Sequence, residues 1–315
     1  LDGDGSTTYM ICVAAMLPLY KRLGMSPLVM ACLMMLSSGI MNLTPWGGPT
    51  ARAASALHVD PSDVFVPMIV PMICAIAWVY FMGYMYGRME RKRLGIITLD
   101  VSHGDNIQIS SNPEANRAHL RWFNTLLTVV LMICLVKSVL PMSVLFMIAL
   151  CIALVVNYKD INMQKDLIAH HAGSALNVVG IIFAAGIFTG ILAGTGMVDS
   201  MSKELVAIIP ESMGPFLAPI TAILSMPLTF FMSNDAFYYG VLPVLSEAAL
   251  HYGISPVEMA RAAIVGQPVH LLSPLVPSTY LLCGLAGIDF GQHQKFAIKW
   301  AILTCLVMML GGLIF

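Results

Sequence analysis

Charge is what this chain has least of. Only 10% of its 315 residues are Asp, Glu, Lys or Arg, where a soluble domain carries about a quarter. That is too little to coat a water-soluble globule of this size. With 58% hydrophobic residues and a mean hydropathy of +0.83, most apolar side chains must face lipid or one another inside a membrane. An excess of positive charge is missing too: the formal net charge is −1, which excludes the broad basic surface of a nucleic-acid binder. The seven cysteines (Cys12, Cys32, Cys74, Cys134, Cys151, Cys283, Cys305) form no CxxC and no cluster with histidine. They read as packing residues, so neither disulfides nor a metal centre built from protein ligands is expected. No HExxH, GxSxG or paired Ser/His constellation occurs, which leaves an enzyme reading without chemistry. The opening "LDGDGSTTYM" lacks an initiator Met, a charged n-region and a cleavage site, and the chain is read as a fragment that begins inside a domain.

What is present is a series of apolar runs long enough to be spans, about 20 residues each. They lie at 26–57 (broken near 42–49), 63–87, 121–140, 142–157, 166–194, 257–288 (broken near 272–277) and 293–315. Two pieces, 7–20 and 236–250, are too short to cross and suggest the arms of re-entrant hairpins. Segment 198–210 spaces Met201, Leu205, Ile208 and Ile209 as an amphipathic helix at the outer interface. Short cytoplasmic loops are enriched in Lys and Arg. Arg88, Arg91, Lys92 and Arg93 therefore mark the cytoplasmic side, with Lys21 and Arg22 two crossings earlier; "HVDPSD" (58–63) and "HYGISP" (251–256) lie opposite and carry neither residue. The polar stretch 88–120 reads as a cytoplasmic loop.

The two ends of the chain echo each other. "GMSP" at 24–27 recurs as "GISP" at 253–256, an offset of 229 (253 − 24). The same shift, without gaps, places Thr44-Pro45 on Ser273-Pro274, Val59 on Ile288, Gly5 on Asn234, Ser6 on Asp235 and Tyr9 on Tyr238. The first copy starts at the cytoplasmic side and the second outside, so the pattern predicts an inverted repeat. The expected division is 1–87 for the first repeat, 88–120 for the loop, 121–197 for scaffold helices, 198–291 for the second repeat and 292–315 for a terminal span.

Inverted copies that each hold a hairpin arm and a discontinuous helix are the signature of a secondary transporter with its site at the bilayer midplane. "MNLTPWGGPTAR" (41–52) breaks its helix with Pro45, Gly47, Gly48 and Pro49, which irregular backbone tolerates only where protein buries it or a polar cavity receives it. Freed carbonyls can hold a cation, and the amides opening the next half-helix can hold a carboxylate. Asn42, Thr44, Gly47 and Gly48 are candidate binding residues here. "LSPLVPST" (272–279) offers Ser273, Ser278 and Thr279 in the second copy. The hairpin tips add Ser233, Asn234 and Asp235, and in the first copy Asp4, Ser6 and Thr7. A carboxylate at that depth is a candidate proton acceptor or cation ligand, and His270 titrates near neutral pH or bonds a neighbouring helix. Arg52 either clamps a carboxylate or snorkels outward.

At "GIMNLTPWGGPTARAA" (39–54), "MSNDAFYYGVLPV" (232–244) and "GQPVHLLSPLVPSTYLL" (266–282), the chain resembles the bacterial citrate:proton symporter family of the ion-transporter superfamily. The resemblance implies an all-α integral membrane protein of the bacterial plasma membrane: an elevator-type carrier with two re-entrant hairpins and two unwound helices, working as a homodimer. It implies that citrate enters as a complex with a divalent metal ion such as Mg or Ca, with protons, the metal arriving on the substrate and no resident cofactor being needed. It further implies that the upstream part holds early scaffold helices and the first arm of hairpin one. Sodium-coupled dicarboxylate relatives in the superfamily carry Ser-Asn-Thr at both tips; here the tips read Ser233-Asn234-Asp235 and Asp4-Gly5-Ser6, which favours protons over a copied sodium site. A gluconate or dicarboxylate symporter of the same architecture, and an anion channel, stay open as alternatives.

Overall fold

In a computed structural model of the chain the described residues are 5–95, 118–137, 139–208 and 210–314, and every element among them is helical. In order these are α1 (Gly5–Arg22), α2 (Pro27–Met41), α3 (Gly48–Leu57), α4 (Pro61–Leu94), α5 (Arg121–Val136), α6 (Met142–Asn157), α7 (Ile161–Gly194), α8 (Met197–Ile208), α9 (Leu217–Phe231), α10 (Leu242–Leu250), α11 (Pro256–Ile264), α12 (Gln267–His270), α13 (Pro277–Ala286) and α14 (Phe290–Ile314). A π-helical stretch, Ala236–Val241, leads into α10.

Contacts divide the chain into two units, Leu1–Leu99 with Ala184–Phe315, and Asp100–Phe183. The helices expected as scaffold, 121–197, are thus shared between them. In the second unit α5 packs on α6, and Asn124 and Asn157 exchange two amide hydrogen bonds of 2.9 Å, pairing polar groups within an apolar contact. Each of these helices has 16 residues, about 24 Å of rise, less than the hydrocarbon thickness.

The first unit is built around α2, α4 and α14. α4 and α14 lie along each other, joined by Trp78, Tyr86, Phe296 and Trp300, with Tyr86 and Trp300 edge to face at 5.7 Å. Prolines at the first turns of α2, α4 and α11 start those helices, where a missing N–H loses nothing. α2 crosses α12 so closely that a Cβ at Gly39 would lie 2.9 Å from Pro268 Cα. Large apolar side chains such as Tyr80, Phe81, Ile187 and Phe231 remain exposed on the outside, as lipid contact requires. By length and apolarity, three described helices suffice to cross a membrane: Pro61–Leu94, Glu211–Phe231 and Phe290–Gly312.

Backbone detail recurs at the interval of 229. Gly24 (φ 61°) and Gly253 (φ 79°) close the turns after α1 and α10, a conformation that glycine enters without a Cβ penalty; Met25 N donates to Tyr20 O (2.9 Å) and Ile254 N to Ala249 O (3.2 Å). His58 and Gly287 both end their helices left-handed, with Val59 N on Ala54 O and Ile288 N on Cys283 O, each 3.0 Å. α2, α3 and α4 begin at 27, 48 and 61; α11, α13 and α14 begin at 256, 277 and 290.

Three expectations are corrected. The loop expected from 88 does not start there, since α4 continues to Leu94 and carries Arg88, Arg91, Lys92 and Arg93 on its last turns; residues 96–117 lie outside the described residues. The second broken helix has an additional interruption at 265–266, where Pro268 has no N–H to offer the Ile264 carbonyl and α12 restarts after Gly266; α9 packs close there, since a Cβ on Gly266 would come 2.5 Å from Ser225 Oγ and 2.7 Å from its carbonyl carbon. The arm expected at 236–250 is a regular helix only from Leu242.

Candidate functional site

The two breaks are built alike. After α2, Leu43 N bonds Ile40 O (3.2 Å), Thr44 N bonds Met41 O (3.4 Å) and Gly47 N bonds Thr44 O (2.8 Å). After α12, Leu272 N bonds Val269 O (3.0 Å), Ser273 N bonds His270 O (2.8 Å) and Val276 N bonds Ser273 O (3.1 Å), each pair 229 residues later. Two threonines close the loops from inside the following half-helix: Thr50 Oγ1 donates to Leu43 O at 3.0 Å, and Thr279 Oγ1 donates to Leu271 O. Gly47 and Val276 stand at the N-caps of α3 and α13, and neither helix has a side-chain cap. Apart from Pro49 and Pro277, which have no N–H, their first residues turn toward the break with the positive dipole end behind them.

Each hairpin tip faces the half-helix that follows the other copy's break. α1 packs on α13, and the π-helical stretch and α10 pack on α3. A Cβ on Gly5, at the start of α1, would lie 3.4 Å from Ser278 Oγ. Asp235, at the second tip, accepts a hydrogen bond from Arg52 Nε of α3 at 2.6 Å, an ion pair whose side chains are 26% and 45% exposed. The Arg52 side chain folds back to its own helix start: a Cβ on Gly48 would be 2.6 Å from Arg52 Nη1. Ser233 Oγ accepts from Ala236 N (3.1 Å) and so caps the arm. Asn234 Oδ1 accepts from Gln267 Nε2 (3.1 Å), which also donates to the Tyr238 hydroxyl (2.8 Å).

Of the residues singled out in the sequence, Asn234 and Asp235 are brought against α12 and α3. Thr44, Ser273 and Thr279 are buried at the breaks, and Asn42 caps α2 through its backbone N–H. Ser273 Oγ donates to Phe230 O at 2.6 Å and accepts from Leu275 N, tying the second break to the end of α9. His270 is buried with Nδ1 2.6 Å from Thr229 O, the helix-bonded alternative. Asp4 lies outside the described residues; Ser6 and Thr7 lie in the first turn of α1. Sequence reasoning missed Thr50 and Gln267, although the offset of 229 carried a signal for both: Thr50 aligns with Thr279, and Gln267 with Ser38, a second polar residue within a broken helix. Among the described residues no three His, Cys, Asp or Glu side chains gather as a metal site.

Comparison with known proteins gives this constellation a context. Residues 3–266 match the family described as Citrate transporter. The chain is 60% identical over 317 residues to a protein named Citrate transporter of Bacillus subtilis (strain 168), an alignment covering 100% of this chain and 73% of the relative. It is 52% identical over 309 residues to the Mg(2+)/citrate complex secondary transporter of the same organism, covering 98% of this chain and 71% of the relative. It is also 50% identical over 322 residues to the uncharacterized transporter YraO, covering 100% and 74%. These are transporters and not enzymes, and by match length and identity alike the chain belongs to the citrate transporter family.

Proposed function

We propose that the chain carries citrate into the cell as a complex with a divalent metal ion, in symport with protons, across the bacterial plasma membrane. Asn42, Thr44, Gly47 and Gly48 at the first break, Ser273, Ser278 and Thr279 at the second, and Ser6 and Thr7 at the first tip hold the substrate. Asp235 with Ser233 and Asn234, and Asp4, handle the coupling ion, while His270 braces α12 against α9 through Thr229 O. The unit 1–87 and the unit 198–291 together with the terminal span 292–315, whose helix α14 is the counterpart of α4, act as an inverted repeat that moves as an elevator against a dimeric scaffold.

The observation that carries this reading is the exchange of partners between copies: each tip stands at the uncapped start of the other copy's half-helix, Gly5 at Ser278 and Asp235 at Arg52. Helix starts suit an anion, and a carboxylate beside them suits a cation that accompanies it. The relative named Mg(2+)/citrate complex secondary transporter supports a metal complex as substrate. So does electrostatics, since the metal lowers the charge on citrate and with it the desolvation penalty of entering a low-dielectric site. Full-length protein in proteoliposomes is expected to accumulate labelled citrate only with both a divalent ion and an inward proton gradient, in competition with unlabelled citrate. Metal-independent, sodium-driven uptake, or stronger competition by gluconate or a dicarboxylate, overturns it.

A further inference from the structure

We infer that Arg52 is the substrate-carboxylate receptor of this carrier and that Asp235 holds it in reserve, so that a proton on Asp235 and citrate on Arg52 come and go together. The inference rests on the transport reading above and deepens it.

The position of the guanidinium is the first ground. Arg52 begins the second turn of α3, yet its side chain runs back over Gly48 to the helix start. A cation there meets the positive end of the helix dipole, where anions are favoured. The arrangement holds only with an anion alongside, and Asp235 supplies it through one oxygen, Oδ1, to one donor, Nε. An arginine has five N–H donors, and among the described residues this is the guanidinium's one hydrogen bond. The remaining N–H groups, at a helix start without a side-chain cap, match the paired oxygens of a carboxylate. Both side chains are partly exposed, so the pair is reachable.

The repeat supplies the second ground. The positions equivalent to Asp235 and Arg52 are Ser6 and Leu281 (235 − 229 and 52 + 229). An Arg–Asp pair at these two positions therefore occurs in one copy alone: α13 carries Leu281 where α3 carries Arg52, and α1 packs on α13 without a guanidinium there. The charged version exists once per site.

The sequence of events is a proton balance. With Asp235 ionised, its carboxylate occupies Arg52 and repels an incoming anion. A proton from the outer solution binds a carboxylate oxygen of Asp235 and ends the Nε–H···Oδ1 ion pair. The guanidinium N–H groups then donate to a carboxylate of the metal–citrate complex. On the inner side the complex leaves, the proton passes from Asp235 to the cytoplasm, and the pair re-forms. His270 and Tyr239 are near enough to feel both charges, and Tyr238 that of Arg52. Besides Glu90 and the basic residues Arg88, Arg91, Lys92 and Arg93 on the last turns of α4, the other charged groups and histidines on α3 and the elements packed on it are His58, Asp63, Glu247, Glu258 and Arg261. His58 and Glu247 line a cavity at the opposite end of α3, Glu258 is engaged with Ser255, and none of the five forms an ion pair with Arg52 or Asp235.

The test is calorimetric titration of detergent-solubilised full-length protein with magnesium–citrate, the concentration of the complex held constant as pH changes. Wild-type affinity is expected to rise roughly tenfold or more from slightly alkaline to mildly acidic pH, with uptake of about one proton per complex, measured in two buffers of different ionisation enthalpy. Asp235→Asn is expected to bind with an affinity that no longer responds to pH, and Arg52→Gln to bind nothing at any pH. Exchanging the charges, Arg52→Asp with Asp235→Arg, is expected to restore the melting temperature but neither binding nor transport, which separates a receptor from a structural ion pair. Zero proton uptake, a wild-type pH response in Asp235→Asn, wild-type binding by Arg52→Gln, or transport by the exchanged pair overturns the inference alone. Wild-type protein that binds no citrate complex with any divalent ion overturns the transport reading and this inference with it.

Discussion

A methyl group added at Gly47 would sit 1.8 Å from the Asn42 carbonyl oxygen and 2.7 Å from its carbon. These are backbone atoms of the first break, with no flexible end to swing away. Gly87, inside α4, has no heavy atom within 4 Å of the same added group. The two glycines therefore predict opposite results. Gly87→Ala removes a flexible residue from a helix interior and is expected to stabilise by about 0.5–1 kcal/mol. Gly47→Ala forces the loop open and is expected to destabilise by about 1–3 kcal/mol, as overpacking does, and to lower citrate uptake by disturbing the start of α3. Melting of the purified variants, set beside proteoliposome uptake, checks both; a Gly47→Ala protein that melts and transports as the parent does refutes the assignment.

The starts of α2 and α11 are equivalent in sequence, yet held by different means. Ser255 caps α11 through a reciprocal box with Glu258. At the matching place in α2, Ser26 makes no side-chain cap and the third residue is Val29, so the acceptor comes from far along the chain: Glu90 Oε2 accepts from Ser26 N at 3.2 Å. The same oxygen accepts from Arg93 at 2.5 Å, and Arg93 donates to Gly24 O at 2.9 Å. Ser255→Ala is expected to cost about 1 kcal/mol and to raise hydrogen exchange only in the first turn of α11. Glu90→Ala leaves the half-buried Ser26 amide without its acceptor, and is expected to cost about 1–3 kcal/mol and to raise exchange at the start of α2, more than 60 residues away; unchanged exchange there rules the clamp out. The contrast shows what a sequence exposes at this scale. Proline starts, glycine turns and the Pro-Gly break at 42–49 are local chemistry and were legible. The interruption at 265–266 carried the same local signal, Gly266 and Pro268, and was passed over; the π-helical entry to α10 and the partner of Arg52, 183 residues away, arise from neighbours that no local pattern encodes. The choice between clamp and snorkel for Arg52 was open in the sequence because both ends of that choice lie outside its own helix.

Across the whole molecule the 229-residue interval governs helix starts, left-handed caps, loop hydrogen bonds and tip contacts alike, but an interval alone does not say which way each copy points. Direction comes from charge. Lys21 and Arg22 close α1, and Arg91, Lys92 and Arg93 close α4, whereas 251–256 carries no Lys or Arg; short cytoplasmic loops are enriched in those residues. Lys21 and Leu250 are equivalent under the shift (21 + 229) and both are exposed, so the proposed inversion places one repeat position on two sides of a membrane. In a cysteine-free background of the full-length protein, Leu250→Cys is expected to react with a membrane-impermeant thiol reagent added outside intact cells. Lys21→Cys is expected to react only after permeabilisation. Parallel copies would label together, from one side or the other. That outcome would remove the midplane meeting of mirrored breaks, because two copies pointing the same way cannot set each tip against the other's half-helix at equal depth.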